Sequence, residues 1–142
     1  MKYDDASWHY GGQFPADLPM EAGATHIGMF VAWCLQNGLA GALHTHDFPL
    51  QLESLRSRSM TPGAWFIQAC DGKLTDEDLN VEGNVFTSVY YAADNPRYML
   101  DYEATLCRDL ASAYHVPDTW GTYDALAPVI SVGFLAWKQR QP

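Results

Sequence analysis

The chain opens on KYDDASWHYGG, and this stretch holds the residue types of an active site: Asp4, Asp5, Ser7 and His9, with Tyr3 and Tyr10 among them. Carboxylates beside an imidazole can run general acid–base chemistry, with His9 moving a proton and an aspartate orienting its ring. The same stretch is also strongly aromatic. Trp8 and Phe14 carry enough apolar area to anchor an irregular segment across a core, with Asp4 and Asp5 capping helix ends or pairing with an arginine. That second reading, a structural plug, is the one expected. The cluster of Asp4, Asp5 and His9 remains the basis of an alternative in which the protein is a small enzyme.

Other chemistry-bearing patterns are weaker. DEDLN places Asp76, Asp78 and Asn80 at positions 1, 3 and 5 of a calcium loop, but Val81 stands where the tight turn needs glycine and Thr87 where a bidentate glutamate should close the shell. The simpler expectation is a turn capped by Thr75, with Asp76, Glu77 and Asp78 in its first residues. HTHD offers His44, His46 and Asp47. No third ligand follows at a recognisable spacing, although His9, His26 or His115 could converge in space, so solvated loop histidines and no metal site are expected. No serine sits in a G-x-S-x-G turn, and no glycine pattern cradles phosphate. Cys34, Cys70 and Cys107 lie far apart without C-x-x-C spacing, as expected of free thiols in a reducing compartment. No catalytic residue and no cofactor are assigned.

Composition narrows the partners. The 142 residues are 48% hydrophobic, enough for one buried core, and a net charge of −9 argues against nucleic acid. Between Asp71 and Asp124 lie eleven acids against three bases, so one stretch holds nearly all the excess charge and one acidic surface is expected. The start of the chain lacks the basic-then-apolar pattern of a secretory signal, and IGMFVAWCL is half a membrane span. A soluble cytoplasmic protein is expected.

The elements that must position these residues read as helices. THIGMFVAWCLQNG is apolar on two faces and should be central, capped by Thr25 and ended at Asn37-Gly38. DFPLQLESLRSRSM and TPGAWFIQACDG follow, the latter with Thr61 as cap, Pro62 at its first position and Gly72 at its end. NVEGNVFTSVYYAAD and PRYMLDYEATLCRDL read as an antiparallel pair broken at Asn95-Pro96, and APVISVGFLAWKQR as a last helix with Pro128 near its start. GGQFPADLP forbids a helix in the first twenty residues. The fold expected is all-α: one domain over residues 1–142, with about five to seven helices and an irregular N-terminal segment on the core.

KYDDASWHY, ATHIGMF, TPG, DGKLTDEDLN and YHVPDTW, spread over nearly the whole chain, resemble a family of small bacterial proteins of undefined biochemical function. The resemblance implies proteins encoded beside polymorphic or type VI secretion toxins, hence an immunity protein that silences a cognate toxin. It carries no catalytic residues. An acidic helical domain without motifs suits an inhibitor of a basic toxin, such as a nuclease, whose active site it would occlude. The expected interface comprises Asp76, Glu77, Asp78 and Glu82, with Tyr91 and Trp120 as desolvated anchors. A self-associating domain, including a homodimer, is the other alternative.

Overall fold

A computed structural model describes residues 1–142. Six α-helices account for about half of the chain: α1 (Thr25–Gln36), α2 (Pro49–Arg56), α3 (Pro62–Cys70), α4 (Val81–Tyr90), α5 (Arg97–Leu106) and α6 (Trp120–Arg140). The all-α expectation holds, with one addition. Strand β1 (Lys2–Asp5) pairs antiparallel with β2 (Lys73–Thr75), so the N-terminal segment is tied down by backbone hydrogen bonds. A bulge between Lys2 and Asp4 breaks the alternation of sides, and both Asp4 and Asp5 end up buried.

Local chemistry sets most boundaries. Thr61 accepts the Ala64 N–H at the start of α3, Pro62 takes the first helical position, and Asp71 and Gly72 both adopt positive φ at its end. Asn80 caps α4 through the Gly83 N–H, and Thr119 caps α6 through the Thr122 N–H. Because that cap lies at Thr119, α6 starts well before the expected point and Pro128 sits inside it. Thr25 is not a cap either: a 3-10 turn over Met20–Ala24 runs directly into α1. Helix α5 packs chiefly on α6 rather than forming the expected hairpin with α4.

Helix α1 is the axis of the fold. Every residue from Thr25 to Leu35 is buried, as its two apolar faces require. Against it α3 approaches so closely that a Cβ on Gly28 would lie 2.9 Å from the Gly63 Cα and from the Pro62 carbonyl oxygen. On the other side Phe30 and Trp33 meet an aromatic layer of Phe86, Tyr90, Tyr98 and Phe134 from α4, α5 and α6. The Trp33 indole N–H donates to Ser131 Oγ at 3.0 Å, satisfying its one polar group.

The N-terminal segment does pack on this core, but not through Trp8. That ring is 58% exposed, with the Lys2 ammonium 5.0 Å from its centre. The segment is held instead by buried Asp4, Asp5 and Ala6 and half-buried Tyr3, Tyr10 and Phe14.

Two substitutions check this packing by thermal or denaturant unfolding. Gly28→Ala should cost about 1–3 kcal/mol, the range for overpacking, whereas Gly11→Ala, whose Cβ would meet nothing within 4 Å, should be close to neutral. Trp8→Ala should cost about 1 kcal/mol or less, since it empties no core site.

Candidate functional site

Beside the N-terminal end of α1 the chain leaves an open cavity of about 900 Å³. Three elements bring polar side chains to it. Strand β1 supplies Asp4, the 3-10 turn Ala6–His9 supplies His9, and the first turn of α1 supplies His26. The turn forms because the Asp5 carboxylate caps it, accepting the Ser7 N–H at 2.9 Å and the Ser7 hydroxyl at 2.8 Å. Lys2 closes on the other oxygen of Asp5 at 2.7 Å, and together these contacts hold its carboxyl at about 2. Asp5 is therefore a capping residue, outside the cluster.

Asp4 is the centre of the site. Its Oδ1 accepts the Asp5 N–H at 2.8 Å and lies 2.9 Å from His9 Nε2; its Oδ2 accepts the Tyr91 hydroxyl at 2.5 Å and lies 3.7 Å from His26 Nε2. Burial works against a charge here. The imidazoles of His26 and His9 and the Tyr91 hydroxyl outweigh it, holding the carboxyl well below the usual carboxylate range. Burial also lowers His26, against the pull of Asp4, so that ring is neutral. His9 Nδ1 meets the Tyr114 hydroxyl at 2.8 Å, and Tyr114 comes from the short turn Ala113–His115 on the far side of the cavity. Burial and the Asp4 charge raise both Tyr91 and Tyr114, which stay protonated, and Tyr91 donates to Asp4. One buried carboxylate thus shares a cavity with two imidazoles and two phenols, groups that carry lone pairs, an arrangement that favours a cation.

Residues 2–116 match a family described as a domain of unknown function, DUF7832. The chain belongs to this family. No curated protein and no solved structure matches it. The matched segment contains the whole of the cluster, from Asp4 to Tyr114, while α6 lies beyond it.

The six expected interface residues do not form one surface. Asp76 is exposed and pairs with the N-terminal amine at 2.9 Å, Glu77 is exposed, and Glu82 pairs with Lys138 of α6 at 2.6 Å. Asp78 is buried. It forms a capping box with Thr75 and lies 2.8 Å from His44 Nε2, so its carboxylate is spent inside the protein. Tyr91 is buried against Asp4. Trp120 is half-buried, its N–H donating to the Met60 carbonyl at 2.8 Å and its ring covered by the Arg58 guanidinium at 4.5 Å. His44, expected in solvent, is buried for the same reason as Asp78, while His46 is exposed beside Asp47. No helix is long and apolar enough to cross a membrane.

The sequence offered His26 only as a histidine that could converge in space on the HTHD loop, not as a neighbour of Asp4 and His9. That residue stands inside an apolar run, and only the pairing of β1 with β2 brings Asp4 to it.

Tyr91→Phe tests the charge at Asp4. Removing a donor to a buried carboxylate should destabilise the fold by about 1.5–3 kcal/mol, measured by urea unfolding. A loss below about 0.5 kcal/mol, within the scatter of neutral changes, would mean that Asp4 is not ionised there.

Proposed function

We propose that the protein is a binding protein that neutralises a basic protein toxin, and that the partner docks on the outer face of α4 and α6. The observation that carries this reading is an unpartnered apolar stripe. Val81, Val85 and Val89 recur every four residues along α4 and are 82%, 44% and 45% exposed. Exposed Val132 and Leu135 on α6 extend the stripe, and Val89 and Val132 share a groove with Ala136. An apolar patch rimmed by charge is the anatomy of a protein interface, with desolvated centre and polar edge.

Charge supports a basic partner. Asp76, Glu77 and Glu82 stand at the beginning of α4, Asp94 stands just past its end, and the chain carries a net charge of −9. The anchors of this reading are accordingly the valines, and of the residues expected from sequence only Asp76, Glu77 and Glu82 belong to the rim. The nature of the partner, a toxin encoded nearby, rests on the family resemblance noted in the sequence.

The test is calorimetry with the product of the adjacent gene. Val85→Asp with Val89→Asp should weaken binding by about 2 kcal/mol or more while leaving the helical spectrum and melting temperature unchanged. Asp76→Lys with Glu77→Lys should slow association and flatten its salt dependence. Unaltered affinity in the valine pair would place the interface elsewhere. A concentration-dependent dimer of the chain alone, abolished by the same valine pair, would assign the stripe to self-association instead.

A further inference from the structure

We propose that Asp4, His9 and His26 bind a divalent first-row transition metal, zinc foremost, with one coordination position open to the cavity. This site is independent of the α4–α6 face. Its donor set, two imidazoles and one carboxylate, is borderline in softness and suits zinc rather than calcium or magnesium. One ligand atom from each of the three residues falls within 4.8 Å of the others. A tetrahedral ion with ligands at roughly 2.0–2.1 Å spaces its donors about 3.3–3.4 Å apart. The separations of His9 Nε2 from Asp4 Oδ1, 2.9 Å, and of His26 Nε2 from Asp4 Oδ2, 3.7 Å, lie on either side of that edge, each ring facing a different oxygen of the one carboxylate. The second of them is too long for a hydrogen bond, so the buried His26 ring faces a carboxylate oxygen across a gap that a proton does not fill and an ion does. His9, the less buried of the two histidines, supplies the adjustment by rotation of its side chain.

The surroundings hold the donors as a metal site requires. His9 Nδ1 is engaged by Tyr114, which leaves Nε2 as the atom aimed at Asp4. Asp4 is fixed by the Asp5 N–H and the Tyr91 hydroxyl. The main chain at His26 is fixed by the Tyr98 hydroxyl, which donates to its carbonyl at 2.6 Å. In the neutral ring of His9 one proton serves two atoms. With hydrogen on Nε2 the ring donates to Asp4 and accepts from Tyr114. With the ion bound, that hydrogen resides on Nδ1 and is donated to the Tyr114 oxygen, so the histidine changes tautomer without releasing a proton. One carboxylate against a divalent ion leaves a net positive site, and the fourth position, facing the cavity, takes water or an anionic oxygen ligand.

A second cluster, His44, Cys70 and Asp78, meets the same spacing but differs in its third donor. Burial and the Asp78 charge push the Cys70 thiol well up, so it stays protonated and is no thiolate ligand, and it points at Asp78 Oδ1 as a donor.

The test is titration of the full-length protein, dialysed against chelator, with zinc by calorimetry and with cobalt(II) by visible absorption. The expected result is one ion per chain with micromolar or tighter affinity, a melting temperature that rises with zinc, and intense cobalt bands of a four- or five-coordinate site. His9→Ala should weaken zinc binding at least tenfold. Tyr114→Phe, which keeps the ring but removes its partner, should weaken it severalfold and shift the cobalt bands. His46→Ala should leave the affinity unchanged. Absence of binding at millimolar zinc, or binding that neither His9→Ala nor Tyr114→Phe alters, would overturn the assignment. If His9→Ala fails to fold, Tyr114→Phe and the cobalt spectrum decide alone.

Discussion

A helix with no wet face is the constraint on which the rest of this molecule depends. From Thr25 to Leu35, α1 is buried all round, so it gains nothing from amphipathicity and must be covered from every direction. Each neighbour answers one part of that demand. Helix α3 lies flush against it because Gly28 and Gly63 carry no side chains at the crossing. The aromatic layer from α4, α5 and α6 fills the opposite side. What remains is the N-terminal end, where the helix carries its histidine. An imidazole there needs a polar cover, and β1 provides it with Asp4. The location of the polar cluster thus follows from the burial of a helix.

How much of this could be read in the sequence depended on the range of the interactions involved. Thr61-Pro62 and Gly38 gave away the ends of helices because caps and left-handed turns are settled by a few neighbouring residues. The turn at Thr75 was legible for the same reason, though not the part Asp78 plays in closing it. Strand β1 was not, because KYDD has no alternation and its partner lies some seventy positions away, at Lys73–Thr75. Trp8 was misplaced because apolar area says that a side chain prefers burial, not which side of a 3-10 turn it leaves from. Asp78 and Tyr91 were misplaced in a similar way. Composition located the acidic stretch, but His44 had already claimed Asp78 and Asp4 had claimed Tyr91.

Helix α4 belongs to both candidate regions without coupling them by direct contact. Its inner side sends Phe86 and Tyr90 toward the α1 layer, and Tyr91, the residue that caps its end, reaches Asp4. Its outer side carries the three valines. Substitutions on one side leave the contacts of the other in place, which keeps a protein-docking role and a metal-binding role separable in experiment. The family match points the same way: it takes in the entire Asp4 cluster but not α6, which contributes two of the five residues of the apolar stripe.

The pairing of the two ends of the chain has a consequence for synthesis. Asp4 finds its partners only when Leu74, Tyr91 and Tyr114 exist, and the aromatic layer closes only when Phe134 and Trp137 arrive. As the polypeptide leaves the ribosome, α1 emerges early, and α3 follows soon enough to cover one of its sides. The opposite side waits for about a hundred further residues, some five to twenty seconds at ordinary elongation rates. Trp33, whose partners Ser131 and Phe134 lie on α6, is therefore among the last of its residues to be covered, and until then that face is open to solvent and to other nascent chains.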